Sequence, residues 1–230
     1  MNTLEDYKEG KVLLIDKPLN WTSFQVVNKI RWLIKQQFEI KKIKVGHAGT
    51  LDPLATGLLI LCTGKFTKKI ETYQAQIKEY TGTITLGATT PSYDLESEID
   101  KTFDVSNITL EEIQNATLQF IGEIQQQPPV FSALKKDGKR LYEYARAGEH
   151  VEIPKRTIQI SEFEITNIEL PNIDFRVVCS KGTYIRSLAH DFGIALNNGA
   201  HLSALRRTKI GDFSLENAVS IEGFEEAFKL

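Results

Sequence analysis

Cysteine is scarce. Cys62 and Cys179 are the two in 230 residues, each in an apolar segment, with no CxxC pair and no Cys/His cluster. That spacing argues against a disulfide framework and against a zinc site, and both are expected to be buried thiols. No apolar stretch has membrane length: the longest uninterrupted run is Leu58 to Cys62, where a spanning helix needs about 20 residues. The first ten residues carry Glu5, Asp6 and Glu9 and no hydrophobic signal segment. The expectation is a soluble cytoplasmic protein without a membrane partner. Internal repeats, low-complexity segments and a clear linker are missing. So are a Walker loop, a GxGxxG motif following a strand, and metal-ligand spacing, so no cofactor and no metal are expected. A basic excess is absent as well: 28 Lys and Arg against 30 Asp and Glu give a net charge of −2, which counts against a phosphate binder.

The cations are nevertheless grouped. Lys41, Lys42 and Lys44 precede the most unusual segment of the chain, Lys65, Lys68 and Lys69 follow it, Lys135, Lys136, Lys139 and Arg140 cluster later, and Arg206, Arg207 and Lys209 stand near the end. Acids concentrate in Glu96 to Asp104 and Glu222 to Glu226, and are expected to lie away from any polyanion.

The unusual segment is Val45 to Leu59, where Gly46, Gly49, Gly57 and Pro53 bracket one histidine, His47, and one carboxylate, Asp52. Backbone bent this way in an apolar stretch reads as a site. Asp52-Pro53 is also a good helix start, with Leu54, Leu58 and Leu61 following at helical spacing.

Elsewhere the patterns are conventional. Lys11 to Ile15 reads as a strand, and Thr22-Ser23 as the cap of a helix with Val26, Val27, Ile30, Leu33 and Ile34 on one face. Glu79 to Leu86 alternates as a half-buried strand. Thr109 to Glu112 is a capping box opening a helix to about Phe120. Ile158 to Leu170 and Phe175 to Cys179 are strand-like, and Tyr184 to Leu196 reads as a helix. Strands and helices mix without a βαβ rhythm, which gives an α+β fold on a mixed, mainly antiparallel sheet, and 41% hydrophobic content can build its core.

Gly46 to Gly57 resembles the catalytic motif of the TruB family of tRNA pseudouridine synthases. Further segments match in family order: Leu14-Ile15-Asp16-Lys17-Pro18, Lys78-Glu79-Tyr80, Leu86 to Thr90, Pro128 to Lys135, Cys179 to Arg186 and Ala204 to Arg207. The resemblance implies the pseudouridine synthase fold, a bent central sheet with flanking helices and an RNA-binding cleft. It implies isomerisation of the T-loop uridine at tRNA position 55 to pseudouridine. By the same resemblance Asp52 is the catalytic carboxylate, acting as nucleophile or as general base, two routes the sequence leaves open. Arg186 would be its cationic partner, since an ionised carboxylate in a closed pocket needs one. Tyr80 would stack on the flipped uracil, and His47 would fill the space that the base vacates. Tyr184 and Leu205 would complete the pocket, and Lys17 would support the catalytic loop or a phosphate.

Two departures from the family are visible. The chain ends about 23 residues after Arg207, too short for a C-terminal RNA-binding PUA domain, so a single catalytic domain over 1–230 is expected, acting as a monomer on the T-stem-loop. Pro91-Ser92-Tyr93-Asp94 keeps an aspartate but lacks the family's glycine, and is expected to be a changed surface loop. A synthase acting on another RNA, or a non-catalytic tRNA-folding chaperone, are the alternatives. The set Asp52, Tyr80 and Arg186 argues against the chaperone.

Overall fold

A computed structural model describes residues 3–132, 134–136, 138–149 and 151–228. In chain order the elements are α1 (Leu4–Glu9), β1 (Val12–Lys17), α2 (Ser23–Gln37), β2 (Val45–His47), β3 (Ala55–Thr63), α3 (Ile70–Gln74), β4 (Lys78–Leu86), β5 (Ala88–Thr89), β6 (Lys101–Thr102), α4 (Leu110–Ala116), β7 (Gly122–Gln126), β8 (Lys135–Lys136), β9 (Lys139–Arg140), α5 (Leu141–Arg146), β10 (Arg156–Glu169), β11 (Asn172–Cys179), α6 (Ile185–Ala195), β12 (Ala200–Ile210), β13 (Phe213–Ser214) and α7 (Ile221–Glu226). The chain divides into two compact units, Met1–Tyr80 with Leu205–Leu230, and Thr81–Ala204. Among the described residues no helix is long and apolar enough to cross a membrane.

The first unit is built around β3. It pairs antiparallel with β1, from Val12↔Cys62 to Lys17↔Gly57, antiparallel with β2, and parallel with the end of β12 through Leu205↔Ala55 and Arg207↔Gly57. Leu58 to Cys62 lacks polar alternation because both faces are covered. Leu59 and Leu61 pack with Ile15, Val45 and the α2 residues Val26, Val27, Ile30, Leu33 and Ile34. Leu58, Ile60 and Cys62 face the opposite way, against Ile210, Phe66, Ile70, Tyr73 and Phe213. Each such leucine contributes about 2 kcal/mol of burial. The helical reading of Leu54, Leu58 and Leu61 is therefore corrected: Pro53 and Leu54 form a turn, and a strand follows. A buried run of this length does not separate strand from helix by period alone. Helix α2 opens on the expected Thr22 capping box, closed by Gln25.

In the second unit β10 pairs antiparallel with both β11 and β7. Strand β4 lies beside β11, its Thr83 hydroxyl donating to Asp174 Oδ1 at 2.7 Å. The inward faces supply Ile158, Ile160, Phe163, Ile173, Phe175 and Val177, and α6 covers them with Leu188, Ala189 and Phe192. Phe163 meets Phe192 and Phe175 edge-on at 5.6 and 6.0 Å. Antiparallel pairs dominate and β3–β12 is parallel, so the mixed, mainly antiparallel α+β arrangement stands. The Thr109 helix ends as an α-helix at Ala116 and continues as a 3₁₀ turn to Phe120. Cys62 and Cys179 are both buried thiols outside any disulfide among the described residues. Ala133, within the Pro128 to Lys135 motif, lies outside the described residues.

Candidate active site

Asp52 sits half-buried in the irregular segment that joins β2 to β3. Gly49 bends this segment at φ +100, and Gly57 bends β3 at φ +98 where the backbone of Arg207 crosses it. Side chains from distant elements hold the segment. Arg207, 1% exposed, donates from Nε to Leu58 O at 2.8 Å and from Nη2 to Gly49 O at 3.1 Å. Lys17, fully buried, donates from Nζ to Trp21 O at 2.5 Å, to Pro18 O at 2.9 Å and to Pro53 O at 3.4 Å. Burial lowers the Lys17 ammonium to about 8, with Asp52 raising it and Arg207 lowering it further. Of the two roles expected for Lys17, its burial fits loop support, since a phosphate has no access to it.

The grouped cations Arg206, Arg207 and Lys209 do not stand alike in the fold. Arg207 is inside. Arg206 Nη2 lies 2.7 Å from Asp16 Oδ2, and Lys209 Nζ lies 3.7 Å from Glu79 Oε2. Arg207 is turned inward, while Arg206 and Lys209 have acid partners.

His47 closes β2. Its Nδ1 is buried without a hydrogen-bond partner among the described residues. Burial and then the Arg207 charge lower its pKa, while the Gly49 backbone pulls weakly the other way without reaching hydrogen-bond geometry. Both lowering causes favour the neutral imidazole. Leu205 stands opposite Ala55, whose N–H donates to Asp52 O at 3.1 Å. Tyr80, buried on β4, follows Glu79, whose carboxylate accepts the Thr208 hydroxyl at 2.7 Å. The first unit therefore carries Lys17, His47, Asp52, Tyr80 and Leu205.

Arg186 and Tyr184 belong to the second unit. Gln126 holds the Tyr184 backbone at both its N–H (2.8 Å) and its C=O (3.0 Å), and the Arg156 guanidinium lies over the Tyr184 ring at 5.3 Å. Arg186 is buried in the first turn of α6. Its Nε lies 3.6 Å from Asp94 Oδ2, and its Nη1 donates to Ser92 O at 3.3 Å. The expectation of a surface loop at Pro91 to Asp94 is overturned: Ser92 and Asp94 are buried, and Tyr93 stacks on His190 at 3.9 Å. Residues polar by composition have turned inward to meet a buried guanidinium. Asp94 is the functional neighbour that the sequence reading missed, and an acid retained in an otherwise altered loop was its one signal.

Arg31, Lys35, Lys41, Lys42, Lys44 and Lys68 line part of a groove of about 710 Å³ in the first unit. It lies at the Thr63 end of β3, roughly 26 Å along the strand from the Ala55 end at about 3.3 Å per residue. In the later run Lys139 pairs with Glu149 at 3.0 Å, and Lys136 donates to Glu152 O at 2.8 Å.

Comparison with known proteins follows this geometry. Residues 35–185 match the family described as TruB family pseudouridylate synthase (N terminal domain), and residues 186–230 match tRNA pseudouridylate synthase B C-terminal domain. A tRNA pseudouridine synthase B of Flavobacterium johnsoniae is 64% identical over 228 residues, covering 99% of this chain and 100% of the relative. The Phocaeicola vulgatus protein of the same name is 60% identical, covering 96% and 94%. Among solved structures, a Cbf5-Nop10-Gar1 complex contains a chain that superposes with a TM-score of 0.72 at 31% identity, covering 96% of this chain and 54% of its own. An H/ACA RNP bound to a substrate RNA containing 2′-deoxyuridine gives 0.70 at 28% identity, covering 98% and 55%.

Proposed function

The chain belongs to the TruB family of pseudouridylate synthases, and from that premise we propose that it isomerises the T-loop uridine of tRNA to pseudouridine. The reaction breaks the N1–C1′ bond, turns the uracil within the pocket, forms C5–C1′, removes the C5 proton and protonates N1. Atoms balance without any second substrate. The supporting observation is Asp52, the one carboxylate in a loop whose flanking carbonyls are tied down by buried cations. Held there, it serves as nucleophile or as general base toward the sugar. Tyr80 packs on the flipped base, neutral His47 occupies the space left in the T-loop, and Tyr184 and Leu205 line the pocket. Arg186 keeps the carboxylate anionic, an assignment resting on the family resemblance together with its burial and its Asp94 anchor.

RNA phosphates are engaged by the groove of Arg31, Lys35 and Lys41 to Lys44, and by the Lys135 to Arg140 segment. The chain is proposed to act as a monomer on the T-arm of the tRNA. In the test, Asp52→Asn is expected to abolish single-turnover conversion by several orders of magnitude while tRNA affinity stays within a few-fold. Substantial residual turnover would remove Asp52 from the chemistry. A minimal T-stem-loop is expected to be modified nearly as well as full tRNA. A loss of a hundredfold or more in kcat/KM, about 2.7 kcal/mol, would place recognition elsewhere on the tRNA.

A further inference from the structure

Ser23 is the first residue of α2 and is 2% exposed. The cap of its own helix is made by Thr22, so the Ser23 hydroxyl is left for another use. Its Oγ accepts the Leu51 N–H at 2.8 Å and donates to Leu51 O at 3.0 Å. Leu51 is buried and lies in the irregular segment. Among the described residues the Ser23 hydroxyl is the hydrogen-bond partner of both its backbone groups. Asp52 comes next.

A peptide unit is planar, so fixing the direction of Leu51 C=O fixes the plane that ends at the Asp52 Cα. The plane on the other side of Asp52 is fixed by the Ala55 N–H donating to Asp52 O at 3.1 Å. With both planes held, the Cα–Cβ direction of Asp52 is set, and its carboxylate retains only side-chain rotation. The Ser23 end of this link does not drift, because α2 is bound to the core through Val26, Val27, Ile30, Leu33 and Ile34.

We propose that Ser23 is a positioning residue for the reaction, a two-point backbone clamp through which α2 aims the Asp52 carboxylate. The inference rests on the reading of Asp52 as the catalytic carboxylate. Ser23→Ala deletes both bonds and leaves the peptide plane before Asp52 free to tilt, and a misplacement near 1 Å costs on the order of a hundredfold in rate.

The test is single-turnover conversion at saturating enzyme, with equilibrium binding of the same unmodified tRNA transcript and urea unfolding of each protein. Ser23→Ala is expected to slow conversion by roughly ten- to a hundredfold with tRNA affinity within about twofold. Ser23→Cys, which keeps a weak donor and acceptor at the site, is expected to fall between it and the parent. Ile113→Ala, buried on α4 in the second unit, supplies a control that loses stability but keeps its rate. The inference is overturned if the folded Ser23→Ala protein converts within about threefold of the parent, or if Ile113→Ala loses as much rate at equal stability. Should Ser23→Ala not fold, Ser23→Cys decides by the same criterion. An active Asp52→Asn protein would sink the reading of Asp52 itself. An inactive Asp52→Asn beside fully active Ser23 variants would sink this inference alone.

Discussion

Adding one methyl group at Gly57 tests how the catalytic segment is held. Gly57 lies opposite Arg207 in the parallel β3–β12 pair, and its φ of +98 is costly for any side chain. A Cβ there would stand 2.4 Å from Arg207 O and 2.8 Å from Arg207 N, where ordinary contact begins at 3.4 Å. Both atoms are backbone, so no rotamer relieves the clash, and β12 must retreat by roughly 1 Å. The φ strain costs about 1–2 kcal/mol. A retreating Arg207 also loosens its bonds to Leu58 O and Gly49 O, and each buried carbonyl left unmet costs about 1–3 kcal/mol. Allowing for partial relaxation, Gly57→Ala is expected to lose ~3–6 kcal/mol, a large share of a typical 5–15. For a chain of this size that lowers Tm by roughly 10–20 °C. Urea unfolding and a thermal scan read the stability, and single-turnover conversion at 15 °C reads the site, where a loss of about a hundredfold is expected. A Gly57→Ala protein within 0.5 kcal/mol of the parent, roughly the size of an ordinary surface substitution, would show that the close crossing is not rigid and refute the reasoning.

Lys17 predicts a pH effect of definite sign. Its pKa falls from 10.5 to about 8 on folding, so between those values the unfolded chain holds a proton that the folded chain has lost, and this group makes stability rise with pH. From pH 7.5 to 9.5 the parent is expected to gain about 2 kcal/mol relative to Lys17→Met in urea unfolding; equal changes in the two proteins would contradict it. Asp94→Asn removes the carboxylate 3.6 Å from buried Arg186 and is expected to cost about 3 kcal/mol. A double-mutant cycle with Arg186→Met should show coupling above about 1 kcal/mol, and additive losses would mean the pair carries nothing. Replacing Lys41 and Lys42 with Glu is expected to weaken tRNA binding and flatten its salt dependence while leaving the saturated single-turnover rate unchanged. An unaltered salt slope would remove the groove from the RNA path.

What the sequence determined by itself was local and repetitive. The Thr22 and Thr109 capping boxes are satisfied within four residues, so both helix starts were legible. The alternation from Glu79 to Leu86 marked β4 for the same reason, and the glycine-bracketed Asp52 segment stood out because its backbone bends need glycine whatever surrounds them. Helix α1, with its own capping box at Thr3, and the short α7 went unread, since six residues carry too little period. Tertiary structure alone decided the rest. The Leu58 to Cys62 run became a strand because apolar layers cover both its faces, a fact about neighbours as distant along the chain as Phe213 and Phe224. Arg206, Arg207 and Lys209 read alike in sequence, yet one is buried on carbonyls and two meet acids, because the tertiary neighbours of each position, not its residue type, set what it meets. The Pro91 to Asp94 segment, a departure from the family pattern, was expected at the surface, yet its Ser92 and Asp94 are interior, where Asp94 faces the buried Arg186. Ser23 looked like part of a helix cap, and only the folded chain brings Leu51 to its hydroxyl. Charge, burial and hydrogen-bond use depend on partners distant along the chain, and those partners exist only once the chain has closed on itself.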